Sequence, residues 1–327
     1  MSLRRNALPA VLAALVVLLA GCGTTDDSTK NEATSSGTPI TLTDSAGETV
    51  TLPHGPARRV VSLEWEYAEI LNSIGAGDSV VGLSDVEGYN SFDAPTVPLS
   101  SQPTDVGQRL EPSLETIAGL EPDLIVASSR SIPDSVRDRL SKIAPIFVLA
   151  LDDPQDPIGR MQESTRALGA AVDHSAQADE LNKSLDEALT KNAATLKERG
   201  IAGQHAVFAS ITAQGSTVSI RLHARGSAPE AVLDRMGLQP GWPNGEGKTG
   251  LSYVDVEGLT RLPADTRFLY WNEQTDPVEK NLAGNAVWKS LPFVKEGHVR
   301  GVSKGVWMYG GPKSLIAFSD QVTSALS

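Results

Sequence analysis

The chain has 327 residues, 40 acidic against 28 basic, a formal net charge of −12 and one cysteine. This length allows roughly two domains, each with its own hydrophobic core. An acidic chain without a Lys/Arg-rich run is a poor partner for a phosphate backbone, so we expect no nucleic-acid binding. A single cysteine excludes an intramolecular disulfide, and no apolar stretch reaches the roughly 20 residues of a membrane span.

The first residues have the pattern of a bacterial lipoprotein signal. Two arginines precede an apolar run from Leu8 to Ala20, which is too short to cross a bilayer core. The run ends in Leu19-Ala20-Gly21-Cys22, which resembles a lipobox, in which the cysteine is lipidated before cleavage. We predict a signal peptide at 1–21, lipidation at Cys22 and a flexible tether at 22–39. The alternative is an ordinary secretory signal with a chance cysteine.

From residue 40 onward, short β-branched runs alternate with helical periodicity. This alternation predicts an α/β lobe with a mainly parallel sheet. A helix through Tyr67 and Leu71 follows the first strand, and Ser113 is placed to cap a short helix that ends near Leu120. The predicted strands are 60–63, 80–83, 124–127 and 146–149.

A long helical stretch follows this lobe. Asp156 and Pro157 form a favourable helix start, and a second helix follows a break near Asp173. A second α/β lobe is then predicted from strands at 207–211, 218–220, 268–271 and 299–302. We therefore expect the chain to cross once on a helix between two lobes that face each other across a cleft.

The predicted fold class is α/β, with two lobes built on central sheets and joined by a long rigid helix. The predicted domains are an N-terminal lobe at 40–155, an interdomain helix at 156–172 and a C-terminal lobe at 173–327. The alternative is one larger α/β domain in which 158–168 is an ordinary crossover helix.

Motifs of catalysis are absent from the sequence. No Gly-x-Ser-x-Gly, Ser-x-x-Lys or His-Glu-x-x-His occurs, so the common serine-nucleophile and zinc-hydrolase signals are missing. Gly247-Lys248-Thr249 lacks the spacing of a phosphate-binding loop and is interpreted as an ordinary loop. The five histidines show no metal-ligand spacing, so we expect no direct metal site. A binding protein is the resulting hypothesis, with a secreted hydrolase as the alternative.

Aromatic residues and one arginine are the candidates for ligand binding. Trp65 and Trp307 follow strand-like runs, and Trp242 lies in a Pro/Gly-rich loop. Strand ends facing a cleft are where open α/β sheets bind ligands, and tryptophan offers a large rigid apolar face. Arg109 lies between Gly107 and Pro112, so its guanidinium is expected to point from a held loop toward ligand oxygens.

Five segments of the chain carry a family resemblance, namely Arg58–Trp65, Val106–Glu115, Leu120–Ile125, Trp288–Val294 and Val306–Gly311. They resemble segments of the ferric siderophore-binding proteins of ABC importers, and of the ferric-hydroxamate binders among them in particular. The likeness extends over roughly residues 40–326, and the segments occur in the family's order.

This resemblance implies a two-lobed binding protein with a shallow cleft and no catalysis. It implies capture of a ferric siderophore without a direct protein–iron bond, and delivery to a permease driven by a cytoplasmic ATPase. The protein would be a monomer outside the cytoplasmic membrane, anchored through Cys22. Its ligand is an Fe(III) chelate, and no cofactor is expected. The implied ligand contacts are Arg109, Trp65, Trp242, Trp307 and Tyr309, and the implied permease-docking residues are Glu115 and Glu257.

The charge of the cleft bears on the ligand class. Ferric hydroxamates are near neutral or cationic, whereas ferric citrates and tricatecholates are anionic and usually meet several cations. Arg109 with three tryptophans favours a hydroxamate. However, Arg130, Arg221 and Arg225 follow strand-like runs and could form a basic floor. Citrate, catecholate and haem or corrinoid ligands therefore stay open as alternatives.

Overall fold

A computed structural model of the protein describes residues 37–214, 217–242, 249–272, 276–303 and 306–326. The predicted signal segment, Cys22 and most of the tether lie outside the described residues, as do Gly247 and Lys248. Among the described helices, none combines the length and apolar character needed to cross a membrane.

The N-terminal lobe is built on one parallel sheet. The strands of this lobe are β1 (Ile40–Thr43), β2 (Thr49–Leu52), β3 (Val60–Ser62), β4 (Val80–Leu83), β5 (Thr104–Asp105), β6 (Gly107–Gln108), β7 (Glu111–Pro112), β8 (Leu124–Ser128) and β9 (Ile146–Leu149). Strands β1 and β2, and likewise β6 and β7, form separate antiparallel pairs outside the main sheet. Its helices are α1 (Trp65–Ser73), α2 (Val86–Phe92), α3 (Leu114–Gly119) and α4 (Asp134–Leu140), with a 3₁₀ turn at Gly77–Ser79.

The sheet order of this lobe is β5-β4-β3-β8-β9, with every pair parallel. All five residues of β8 are buried, as expected for a parallel strand covered on both faces. Leu124 and Val126 pack into the core on one face, and Ile125 and Ala127 into the core on the other. The strand pattern read from the sequence is confirmed here, and Ser113 caps α3 by accepting from the Thr116 N–H.

Two helices, α5 (Pro157–Ala171) and α6 (Ser175–Glu198), join the lobes. Helix α5 begins where predicted, because the Asp156 side chain accepts from the Gly159 N–H and Pro157 occupies the first turn. The first half of α5 packs with the C-terminal core through Met161, and the second half packs with the N-terminal core through Leu168.

Helix α6 returns antiparallel to α5, with Leu181 in the N-terminal core and Leu189 in the C-terminal core. The expectation of a single crossing is therefore wrong, since both helices span both cores. The break between them is at Asp173, whose φ of +64° ends the helical path.

The C-terminal lobe contains the second sheet. Its strands are β10 (His205–Gln214), β11 (Thr217–His223), β12 (Gln239–Pro240), β13 (Leu251–Val254), β14 (Arg267–Asn272) and β15 (Val299–Ser303). Its helices are α7 (Ala228–Arg235), α8 (Pro277–Asn281), α9 (Ala286–Ser290), α10 (Pro292–Lys295) and α11 (Pro312–Ala325), with a 3₁₀ turn at Glu257–Arg261.

This second sheet is mixed, in contrast to the predicted repetition of a parallel theme. Its order is β13-β11-β10-β14-β15, with β12 beside β10. Strands β10, β14 and β15 are parallel, while β11 pairs antiparallel with both β10 and β13. The antiparallel half arises because β10 and β11 are separated by only two residues, which permits a hairpin and no crossover helix.

One buried carboxylate joins the lobes directly. Glu69 of α1 accepts hydrogen bonds from the backbone N–H groups of Gly311, at 2.7 Å, and Ser314, at 3.0 Å. These donors lie at the start of α11, where the free N–H groups and the helix dipole favour a negative charge. A Cβ atom at Gly310 would clash with the Glu69 carboxylate, so this position requires glycine.

Candidate functional site

A cleft of about 470 Å³ lies between the two lobes. Its N-terminal wall includes residues that follow the carboxyl ends of β3, β8 and β9, which is where parallel sheets bind ligands. Its C-terminal wall includes β11 and the segment before α11. Six residues selected from the sequence line this cleft, namely Trp65, Arg109, Arg130, Arg221, Trp307 and Tyr309.

Aromatic rings from both lobes meet at the cleft. The ring centres of Trp65 and Trp307 are 5.2 Å apart, and Tyr309 packs against Trp307 at the same distance. Phe92 of α2 contacts both tryptophans and reaches Trp271 at 5.6 Å. The result is a rigid apolar face suited to an organic ligand that must be desolvated.

Arg109 reaches the cleft from the β6–β7 hairpin. Gly107 has a φ of +91°, and a Cβ atom there would lie 2.7 Å from the Glu111 carbonyl oxygen, so the turn requires glycine. Glu64 holds the guanidinium with two contacts, Nη2 to Oε1 at 3.0 Å and Nε to Oε2 at 2.9 Å. Glu64 is buried and also accepts from the Ser128 hydroxyl. Arg109 is therefore oriented and neutralised by one carboxylate, while its side chain stays 44% exposed.

Two more arginines of the cleft are paired with carboxylates of the N-terminal wall. Arg130 contacts Asp152 at 3.2 Å, and Arg160 of α5 contacts Glu66 at the start of α1. Burial raises the pKa of the Glu66 carboxyl to about 7, although Arg160 opposes this increase. Arg109, Arg130 and Arg160 are therefore each paired with a carboxylate of the cleft, which the sequence alone did not show.

Arg221 differs from these three arginines because no carboxylate of the described residues contacts it. Its Nη2 donates to the Ser210 hydroxyl at 3.2 Å, and its guanidinium lies 6.0 Å from the centre of the Tyr309 ring. The Nε2 atom of the buried His223 lies 3.4 Å from the Ser210 hydroxyl and 3.4 Å from the Tyr309 hydroxyl. Burial, followed by the charge of Arg221, lowers the pKa of His223 to about 3, so this imidazole is neutral. Burial raises the pKa of Tyr309 to about 12, so its hydroxyl keeps its proton.

Trp242 and Arg225 are not among the residues that line the cleft, which corrects their expected place in the pocket. Trp242 is only 8% exposed and packs in a core cluster of the C-terminal lobe. The Arg261 guanidinium covers its ring at 4.3 Å from the centre, so the ring is used in packing. Arg225 is exposed and precedes Gly226, which does line the cleft.

The two glutamates predicted for docking are exposed on separate lobes. Glu115 lies in the first turn of α3, and Glu257 begins the 3₁₀ turn of the C-terminal lobe. Their role in docking stays a prediction.

Sequence reasoning missed the residues that hold the site together. Glu64 is adjacent to Trp65 in the chain, but its partner Arg109 lies 45 residues away, and nothing in the local pattern indicates the pair. Phe92 and Trp271 were not selected as site residues, and the contact between their rings, at 5.6 Å, crosses between the lobes. In the described part of the chain, no group of three or more His, Cys, Asp or Glu side chains could hold a metal ion.

A two-lobed α/β fold with a cleft between the lobes is the architecture of a solute-binding protein. A family model described as periplasmic binding protein matches residues 60–304, and the chain belongs to this family. The family consists of substrate-binding transport proteins.

Three relatives illustrate the range of the family. The iron(3+)-hydroxamate-binding protein FhuD of Escherichia coli K12 is 24% identical over 277 residues, covering 82% of this chain and 86% of the relative. The Fe(3+)-citrate-binding protein YfmC of Bacillus subtilis 168 is 24% identical over 306 residues, covering 92% and 90%. The structure of FhuD from Vibrio cholerae with bound Fe3+–Desferal has a TM-score of 0.72 and 26% identity, covering 82% of this chain and 97% of that one.

We predict that acid destabilises the protein through His223. The folded state holds this imidazole neutral, whereas the unfolded chain takes up a proton near the ordinary pKa of 6.5. The stabilising contribution is complete above pH 6.5 and is lost as the pH falls toward about 3, by up to about 1.4 kcal/mol per pH unit. Urea unfolding of the wild type and His223→Gln across this range measures the effect. Parallel pH profiles for the two proteins would contradict it.

Proposed function

We propose that this protein is the extracytoplasmic substrate-binding lipoprotein of an ABC importer and that it captures a ferric siderophore of the hydroxamate type. The observation that carries the ligand class is the pairing of Arg109, Arg130 and Arg160 with carboxylates of the cleft wall. Pairing leaves little positive charge for an anionic ligand. The lobe limits 40–155 and 173–327 are part of the same proposal, with the first half of α6 packed in the N-terminal core through Leu181.

Charge in the cleft favours a ligand that is neutral or cationic. Besides the three paired carboxylates, Asp85 and Asp153 line the cleft and accept only backbone N–H groups among the described residues. Among the described residues that line the cleft, Arg221 is the arginine without a carboxylate partner. A ferric trihydroxamate core has no net charge, so it meets no repulsion here, whereas a ferric tricatecholate brings several negative charges near these carboxylates.

The contacts proposed for the chelate are apolar faces and a few hydrogen-bond donors. Trp65 and Trp307 supply the faces, and Tyr309 supplies a hydroxyl that stays protonated. Arg109 keeps donors for ligand oxygens, because Glu64 engages only two of the five N–H groups of the guanidinium. Iron would then be recognised through its chelating oxygens, without a direct protein–iron bond and without catalysis.

Membrane anchoring and delivery complete the proposal. A lipid on Cys22 and the tether to residue 39 would hold the protein at the outer face of the cytoplasmic membrane as a monomer. Glu115 and Glu257, exposed on different lobes, would dock on the permease that a cytoplasmic ATPase drives.

A ferric carboxylate such as ferric citrate is the second candidate ligand. Arg221 favours it, because this guanidinium faces the cleft without a carboxylate among the described residues. Catecholates, haem and corrinoids are the remaining candidate ligands. A hydrolase acting on the chelate is the alternative function, and it would cleave its ligand, whereas a binding protein would leave it intact.

A fluorescence titration tests the ligand class. The chain from residue 23 keeps every described residue, and its cleft tryptophans report ligand contact. We expect saturable quenching by ferrioxamine B and ferrichrome, and weak or no response to ferric citrate, a ferric tricatecholate and haem. Iron-free ligands are the control. Preference for citrate would establish the second candidate, and a chelate found cleaved by mass spectrometry after incubation would establish the hydrolase.

We predict that Arg109→Ala weakens binding of the preferred ferric chelate by about 1–3 kcal/mol, because a charge-assisted hydrogen bond is lost in a desolvated cleft. Arg109→Lys should retain part of the affinity, since it preserves the charge beside Glu64. Arg166→Ala removes an exposed arginine from α5 and is the matched control. Unchanged affinity in Arg109→Ala would remove this residue from the site.

We predict that the double variant Glu115→Ala/Glu257→Ala binds ligand normally but no longer supports uptake of radiolabelled ferric siderophore by cells. The physical reason is the loss of one exposed negative charge from each lobe at the proposed permease contact. Glu180→Ala/Glu187→Ala makes the same charge change on the exposed face of α6 and should transport normally. Normal uptake by the docking variant would refute the assignment.

A further inference from the structure

A second carboxyl group shares a partner with the Glu69 carboxylate that joins the lobes, because Ser314 donates its N–H to Glu69 and its hydroxyl to Asp93. Asp93, at the end of α2, is fully buried, and its Oδ1 accepts from the Ser314 hydroxyl of α11 at 3.1 Å. Its Oδ2 is also buried and has no hydrogen-bond donor among the described residues. An ionised oxygen in that position would carry the full penalty of an unpaired buried charge.

The surroundings of the two carboxyl groups differ in the charge that they favour. Glu69 receives two backbone N–H groups at the N-terminus of α11, a setting that stabilises a carboxylate. Asp93 lies at the C-terminal end of α2, where free carbonyl groups disfavour negative charge. A proton on Asp93 Oδ2 would convert the unpartnered acceptor into a donor toward Glu69.

We propose that Asp93 and Glu69 are positioning residues of the cleft, in which a protonated Asp93 donates a hydrogen bond to an ionised Glu69. The pair fixes α11 against α1. Trp65 begins α1, and Trp307 and Tyr309 directly precede α11, so the same contact sets the positions of the cleft rings. This inference requires no particular ligand and holds whether or not the hydroxamate proposal does.

The electrostatics of the pair support this proton assignment. Burial, followed by the charge of Glu69, raises the pKa of Asp93 to about 9. Burial also raises the pKa of Glu69, while the N–H groups of α11 lower it. The other titratable groups that face the pair are Glu66 of α1, which is paired with Arg160 of α5, and Tyr89 of α2.

The pH dependence has a definite sign. Because the pKa of Asp93 is raised in the folded state, its contribution to stability is complete below the ordinary value of 3.8 and is lost as the pH rises toward about 9. The unfolding equilibrium constant should rise by up to about tenfold per pH unit in this window. Asp93→Asn cannot titrate, so its difference from the wild type isolates this group from Glu66 and His223.

An asymmetry between two isosteric variants tests which carboxyl carries the proton. In Asp93→Asn the amide donates to Glu69 and the carbonyl accepts from Ser314, so near-UV circular dichroism of the tryptophans and affinity for ferrioxamine B should stay within about twofold of the wild type at pH 7. Glu69→Gln places an amide N–H against the N–H groups of α11, so the tryptophan signal should be lost and affinity should fall at least tenfold. Asp93→Ala should lie between the two, and Asp138→Asn, an exposed change of the same kind, is the control.

Three results would overturn the proposal. A disruptive Asp93→Asn with a tolerated Glu69→Gln would place the proton on Glu69, and equal effects of the two variants would mean that no proton is shared. If Glu69→Gln does not fold, urea unfolding of the wild type and Asp93→Asn between pH 4 and pH 9 decides, and parallel profiles refute the pair. Circular dichroism and unfolding need no ligand, so failure of the siderophore proposal remains a separate result.

Discussion

The contact on which the cleft depends is the carboxylate of Glu69 at the N-terminus of α11. It joins residues 242 and 245 positions apart in the chain, and each carboxylate oxygen accepts one backbone N–H. Side-chain packing alone tolerates small slips of one helix along another, but two directed hydrogen bonds to a helix end fix both its position and its direction. In our proposal this constraint also sets the ring contact between Trp65 and Trp307, because each ring lies within one helical turn or one short segment of a bonded residue.

Ion pairing along the N-terminal wall explains how a cleft lined with arginines can have too little net positive charge to bind anions strongly. A buried ion pair contributes little net stability, because the free energy of desolvating its two charges offsets their attraction. The main effect of these pairs is therefore to orient hydrogen-bond donors. Glu64 holds Arg109 in one direction and cancels its charge, while part of the Arg109 side chain remains exposed in the cleft. In the proposed binding mode, affinity would come mainly from apolar faces and a few donors, which suits a protein that must release its ligand after capturing it.

The sequence was most informative where the signal is local. Buried strands such as β8, the Ser113 cap and the Asp156-Pro157 helix start are each specified by neighbouring residues, and the structure confirms them. The second crossing by α6 was missed, because Leu181 and Leu189 share one helical periodicity even though they enter different cores. The mixed sheet was missed for a related reason, since β-branched runs indicate strands but carry no information about strand direction.

Among the candidate site residues that follow strand-like runs, all but Arg225 line the cleft, whereas Trp242, selected from the composition of its loop, does not. Trp65 and Trp307 meet at the cleft, whereas Trp242 was chosen for a Pro/Gly-rich loop and proves to be a core residue covered by Arg261. A count of arginines misleads in the same way, because the free charge of a guanidinium depends on a partner that the fold supplies from a distant segment. Arg130 and Arg221 look equivalent in the sequence. Asp152 neutralises Arg130, whereas only hydroxyl and aromatic groups of the described residues contact Arg221. The charge available to a ligand is therefore a property of the tertiary structure, and it was the part of this site that no local pattern could supply.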